Sequence, residues 1–229
     1  MDAHIYEREV DPDSGDSLAL IARRIPRGST VLELGVATGY FSRFLTEELG
    51  CVVDGVERDQ RMAETARQWC CKLLVGDLEQ ERLAEHFTSG GYDVAVIADV
   101  LEHLYDPGAV LKQTGPLLGP AGKLLISVPN VAYGGLILDL IHGDFEYRDE
   151  GLLDRTHIRF FTRSTILALL ESLEMEVLSV EPVPMALENS EFYGRLNRLS
   201  VPLKNYVFSR PDAGAYQFII EARPAQAGS

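Results

Sequence analysis

The sequence predicts an α/β protein, an open doubly wound sheet of seven strands in a single domain spanning residues 1–229. Three observations predict it. Short apolar runs alternate with helical patterns along the chain, without repeats or low-complexity tracts. The stretch Val31-Leu-Glu-Leu-Gly35-Val-Ala-Thr-Gly39-Tyr-Phe-Ser42 passes from a strand through a glycine turn into a helix. Three later apolar runs, Cys51 to Glu57, Lys72 to Asp77 and Tyr92 to Asp99, each close on an acid where a strand meets its loop. In an open α/β sheet the crevice outside the carboxyl ends of the strands is the ligand site, so Glu57, Asp77 and Asp99 should converge there.

Each element has its own signal. Ser17 to Arg24 reads as a leading helix, and Pro26-Arg-Gly28 as the turn before the first strand. A helix covers Tyr40 to Leu49. Asp59 is an N-cap for a helix through Trp69, and Asp106-Pro107 is an N-cap followed by proline at the first helical position, for a helix through Leu118. Gly119-Pro-Ala-Gly122 ends that helix, and Lys123 to Pro129 is the fifth strand. Thr162 caps a helix whose Ile166, Leu167, Leu170 and Leu173 share one face. Met175 to Val183 and Tyr216 to Ala222 are the last two strands. Between them, residues 188–209 exceed a hairpin connection, and Phe192, Leu196 and Leu199 predict an amphipathic helical insertion, a flap or the contact of a homodimer.

Gly35 and Gly39 let the backbone turn sharply and approach a ligand, while the free N–H groups of the next helix point into the same space. The dinucleotide fingerprint G-x-G-x-x-G is not met, because Ala37 stands at its second glycine and Tyr40 at its third. A different adenosine ligand fits better. Glu57, about 20 residues past the turn, is where a carboxylate accepts hydrogen bonds from both ribose hydroxyls.

At these positions the chain resembles the class I S-adenosylmethionine-dependent methyltransferases. Glu33, Gly35 and Gly39 match the family's acid-x-Gly-x-x-x-Gly motif, Glu57 its ribose acid, Gly76-Asp77-Leu78 its adenine-side turn, and Asp99-Val-Leu-Glu-His103-Leu its fourth-strand motif. The resemblance implies a Rossmann-like sheet, mostly parallel with an antiparallel last strand, and S-adenosylmethionine as cofactor. It implies that Glu33 and the Gly35-Val-Ala37-Thr-Gly39 turn surround the methionine part, that Glu57 holds the ribose, and that Asp77 and Leu78 lie by the adenine. Ala37 departs from the glycine of many members, and its Cβ narrows the turn if φ there is positive. Ser127-Val-Pro-Asn130 and Gly151-Leu-Leu-Asp154-Arg-Thr-His157-Ile-Arg-Phe-Phe-Thr162 look like a bacterial branch often associated with glycosyltransferases, which hints at a glycan acceptor.

Residues 131–161 follow the fifth strand, where the family's acceptor sits, and carry Tyr133, Phe145, Tyr147, Asp154, Arg155, His157 and Arg159. This segment reads as a substrate cover, with Gly134-Gly135, Gly143 and Gly151 as hinges. Methyl transfer from a sulfonium needs alignment, exclusion of water and, for a hydroxyl acceptor, removal of a proton. His157, His103 and Asp99 are the candidate catalytic residues. Either histidine takes the acceptor's proton or satisfies loop carbonyls, and both readings stay open. Asp99 orients cofactor or substrate, because a carboxylate near its reference pKa of ~3.9 is a poor base for an alcohol. The expected reaction is O-methylation of a small-molecule or sugar-like hydroxyl, or of a secondary metabolite. The alternatives are N-methylation, a scaffold that binds S-adenosylmethionine without turnover, and metal-assisted sugar methylation with Asp99, Asp154 and a histidine around Mg²⁺. No tight ligand spacing supports a metal, so none is expected.

With 21 Lys and Arg against 35 Asp and Glu, the formal charge of -14 repels phosphate backbones and anionic lipid, so neither nucleic acid nor membrane is an expected partner. Cys51, Cys70 and Cys71 have no metal or disulfide spacing. The amino-terminal residues lack an apolar targeting stretch, and the expected location is the cytoplasm.

Overall fold

The computed structural model describes residues 9–194 and 200–225. Its elements in chain order are α1 (Ser17–Ala22), β1 (Thr30–Leu34), α2 (Tyr40–Glu47), β2 (Val52–Glu57), α3 (Gln60–Ala66), β3 (Lys72–Val75), α4 (Leu83–His86) and β4 (Tyr92–Ala98). There follow α5 (Pro107–Thr114), β5 (Leu118–Pro129), α6 (Gly134–His142), α7 (Arg163–Ser172), β6 (Met175–Pro184), α8 (Val201–Phe208) and β7 (Ala215–Pro224).

The seven strands among the described residues form one sheet in the order β3-β2-β1-β4-β5-β7-β6. The first five pair in parallel, whereas β7 runs antiparallel to both β5 and β6. Strand order reverses between β1 and β4, so the crevice opens above the carboxyl ends of those two strands. Side chains alternate across the sheet, which splits the core in two. Leu32, Leu34, Ile97 and Ile126 bury one face with α5 and α7, through Val110, Leu111, Ile166 and Leu170. Val31, Val53, Val94 and Leu125 bury the other with α1 and α2, through Leu18, Ile21, Phe41 and Leu45.

The predicted caps form. Asp59 accepts from the amides of Arg61 and Met62, Asp106 from that of Ala109, and Thr162 closes a reciprocal box with Thr165. On α7, Ile166 and Leu170 are buried and Leu173 packs on the core, while Leu167 lines a surface cavity instead. The helices at 17, 40, 60 and 107 each stop before their expected ends, the last passing into a short 3-10 turn at Gly115–Leu117. Gly119-Pro-Ala-Gly122 lies within β5, not ahead of it. The ladder steps from Tyr92 opposite Leu118 to Val94 opposite Lys123, leaving the four residues out of the pairing.

The region after β5 differs most from expectation. Residues read as a cover begin with the helix α6, and Gly134 and Gly135 are buried in its first turn. A Cβ on Gly134 would stand 2.7 Å from the Phe208 ring, and one on Gly135 2.6 Å from that of Tyr133. The pair is there for close packing, not as a hinge. Tyr133 is wholly buried and anchors a satellite cluster with Leu136, Leu152, Leu153 and Phe192, so it is not on the acceptor surface. Gly143 caps α6 in the left-handed conformation, and Gly151 has φ 92° beside Glu191. In the 188–209 insertion the described helix is α8; Leu196 and Leu199 lie outside the described residues.

Candidate active site

The turn after β1 is built from left-handed residues: Gly35 has φ 84°, Ala37 51° and Gly39 84°. A Cβ on Gly39 would meet the Ala66 Cα at 2.8 Å, and one on Gly35 the Val100 side chain at 2.6 Å, so both must be glycine. Ala37 does adopt positive φ, a conformation that costs an alanine about 1–2 kcal/mol. Its amide is held by the Glu57 Oε2 at 2.8 Å, and Glu57 Oε1 accepts from the Asp59 amide, also at 2.8 Å. Glu57 therefore fastens the glycine turn to the end of β2. A carboxylate has about four acceptor positions, and these two bonds leave room for a ribose diol.

Glu33, at the end of β1, is 5% exposed and accepts from Ser42 Oγ at 2.5 Å. Burial pushes its pKa up to about 8; the Ser42 bond opposes the shift and the neighbouring Glu57 charge adds to it. Asp77 caps its own turn, accepting from the Glu79 amide at 3.0 Å. Leu78 turns its side chain into the core beneath the crevice, which limits it to backbone contact with a ligand.

Asp99 sits at the mouth of β4 with φ 54°. Its Oδ1 accepts from Ser127 Oγ at 2.7 Å and from Gln217 Nε2 at 2.9 Å, and its amide reaches Ser127 in return. Two neutral donors on one oxygen fix the carboxylate's direction.

The two histidines, 54 residues apart in the chain, meet edge-on with ring centroids 4.9 Å apart. His103 places Nδ1 3.2 Å from the Thr156 carbonyl, and His157 places Nδ1 3.1 Å from the Leu152 carbonyl. In the neutral ring each Nδ1 therefore carries the proton and each Nε2 the lone pair. Burial, aided by the nearby His157, holds the His103 pKa below its usual value. Backbone carbonyls, not a neighbouring carboxylate, fix both tautomers. The loop bearing His157 is pinned by the amides of Ile158 and Arg159, which both donate to the Glu102 carbonyl. The structure scatters the other polar residues of this segment. Asp154 caps the turn to Thr156, Arg155 pairs with Asp149 in solvent, and Arg159 donates to the Tyr105 carbonyl.

Glu102 was not a sequence candidate in its own right. It is 1% exposed and neither carboxylate oxygen has a hydrogen-bond partner. Burial first, then the charges of Asp99 and Asp154, hold its pKa well above the usual carboxylate range. The signal in the sequence was an acid in an otherwise apolar turn, directly before His103. Exposed rings border this end of the sheet: Phe145 contacts Tyr147 and Phe160 with centroids 5.4 and 6.4 Å apart.

A glycine turn, Glu57 and Asp77, lined up at the ends of β1, β2 and β3, suit an adenosine ligand without the dinucleotide fingerprint. Residues 4–180 match a family model described as a methyltransferase domain. The chain belongs to the methyltransferase family. This methyltransferase is S-adenosylmethionine-dependent, and Glu57 suits that ligand: it is half-buried beside the glycine turn, with acceptor capacity left after its two amide bonds. The chain is 23% identical over 201 residues to a ubiquinone biosynthesis O-methyltransferase of Idiomarina loihiensis, covering 86% of this chain and 76% of the relative. It is 26% identical over 127 residues to the protein of the same name from Xanthomonas axonopodis, of which it spans 53%. An S-adenosylmethionine-dependent methyltransferase from Mesorhizobium loti superposes with a TM-score of 0.61 at 18% identity, covering 91% of this chain and 98% of that one; this likeness is one of fold. Among the described residues no helix of the methyltransferase is long and apolar enough to cross a membrane.

Proposed function

We propose that this methyltransferase methylates a hydroxyl on a small ring-bearing acceptor, phenolic or sugar-like, and that the acceptor's proton is lost at the histidine pair. The observation that carries the reading is the anchoring of both imidazoles by Nδ1, which leaves two Nε2 lone pairs at the mouth of β4. The rings of Phe145, Tyr147 and Phe160 offer faces on which a flat acceptor or a sugar can stack. The printed name of the curated relatives, an O-methyltransferase, agrees with an oxygen acceptor. A net charge of -14 disfavours nucleic acid as the acceptor.

Bound S-adenosylmethionine supplies an activated methyl group, because its sulfonium departs as a neutral thioether. The protein's part is then positional. Glu33, the 35–39 turn, Glu57 and Asp77 hold the ligand, with the backbone at Leu78 beside its adenine. Asp99, locked by Ser127 and Gln217, orients the reacting end. A neutral imidazole removes the acceptor's proton as the oxygen becomes nucleophilic.

Incubation of the enzyme with methyl-labelled S-adenosylmethionine and a cell metabolite extract, followed by NMR of the labelled product, tests the reading. An O-methyl product is expected, and His157→Ala or His103→Ala should lower kcat by about 10²–10⁴-fold with cofactor affinity retained. An N-methyl product, or unchanged kcat in both variants, overturns it; no labelled product at all favours the scaffold reading.

A further inference from the structure

We propose that Glu102, His103 and His157 form a binding site for one divalent ion of the zinc type at the acceptor end of the cleft. Among the described residues these three side chains bring their ligand atoms within 4.8 Å of one another. Around a tetrahedral ion with bonds of about 2.0–2.2 Å two ligand atoms lie about 3.3–3.6 Å apart, so side-chain shifts of roughly 1 Å draw the cluster onto the ion.

Three independent features favour a ligand there over an ordinary buried cluster. The Glu102 carboxylate is buried with no donor on either oxygen, the arrangement a native structure normally avoids and one that a cation satisfies. Each histidine already makes the outer contact that orients a metal-bound imidazole, Nδ1–H to a backbone carbonyl, with Nε2 left for the ion. The amides of Ile158 and Arg159 on the Glu102 carbonyl tie the loop carrying His157 to the turn carrying the other two ligands, so the set is assembled before any ion arrives.

The donor set selects the ion. Two imidazoles and one carboxylate suit zinc or another late first-row ion, whereas magnesium prefers an all-oxygen shell. Three protein ligands leave a position for an outside oxygen, as in catalytic zinc sites. For its catalytic consequence the inference rests on the hydroxyl-acceptor reading: an acceptor hydroxyl bound at that position loses its proton more readily, and the ion takes over the task assigned to the free imidazoles. Zinc binding itself does not depend on that reading.

The test uses the full chain, stripped with a chelator, dialysed against Zn²⁺ and measured by elemental analysis and titration calorimetry. One zinc per chain is expected, undisturbed by excess Mg²⁺. Glu102→Gln, which keeps the shape of the buried side chain, should weaken it roughly 100-fold or more, beyond the effect of losing an outer contact. His142→Ala, on the exposed end of α6, should leave it unchanged. Because His157→Ala removes a buried ring, Zn²⁺ should also raise the melting temperature of the native chain but not that of the folded Glu102→Gln protein. Absence of stoichiometric zinc, or equal affinity in Glu102→Gln, overturns the site. Methyl transfer to oxygen at full rate by the zinc-free enzyme overturns the ion's catalytic part and leaves the hydroxyl reading standing. Zinc bound at this cluster together with an N-methyl product supports the site and overturns the hydroxyl reading.

Discussion

Glu33 shows how one residue couples the cofactor turn to pH. Its carboxyl accepts from Ser42, and burial raises its pKa from 4.5 to about 8. Between those values the folded chain holds a proton that the unfolded chain has released. Stability contributed by this group is therefore fully present below the lower value, falls as pH rises, and is lost above the upper one. In Glu33→Gln, which stays neutral throughout, the melting temperature should decline less from about pH 5 to about pH 8 than in the native chain. Parallel curves would show that Glu33 ionises normally. The motif residue was legible in the sequence; its protonation was not, because it depends on Ser42 from the next helix and on Glu57 from the next strand. Glu102 illustrates the same limit. Read along the chain it is a neighbour of His103, and only the packing of His157 against the same turn makes it part of a cluster.

At the level of elements, strands ending in acids and helices beginning at Asp59, Asp106 and Thr162 were readable because their signals are local: apolar runs, caps and a proline at the first helical position. The region after β5 was not, because its glycines answer to rings distant in the chain. Gly134 and Gly135 let α6 approach Phe208 and Phe192, contacts absent from any short window. Two effects compete at Gly135. Alanine gains about 1 kcal/mol in helix propensity, yet its Cβ would lie 2.6 Å from the Tyr133 ring and 2.9 Å from that of Phe192. Both rings are fully buried and have nowhere to go, and overpacking of this kind costs about 1–3 kcal/mol. Gly135→Ala should therefore lose stability, by up to about 2 kcal/mol, in denaturant titration. A stabilised variant would mean that helix propensity wins and the satellite cluster yields.

For the molecule as a whole, seven strands in the order β3-β2-β1-β4-β5-β7-β6 place the ends of β1, β2, β3 and β4 around one crevice. That convergence was legible from the spacing of Glu57, Asp77 and Asp99 alone. The second end of the cleft, where Asp99, His103 and His157 meet, draws on β4, β5, β7 and the loop before α7, and so needed the tertiary structure. The central claim is that Glu57 holds the nucleoside of S-adenosylmethionine in addition to fastening the glycine turn. Titration calorimetry of S-adenosylhomocysteine into the native chain and into Glu57→Ala tests it most directly, with melting of each ligand-free protein as the control for folding. Loss of the hydrogen bonds to the ribose should weaken binding by about 1–3 kcal/mol in a variant that still melts cooperatively. Native affinity in folded Glu57→Ala would contradict the account and leave Glu57 as a turn cap alone.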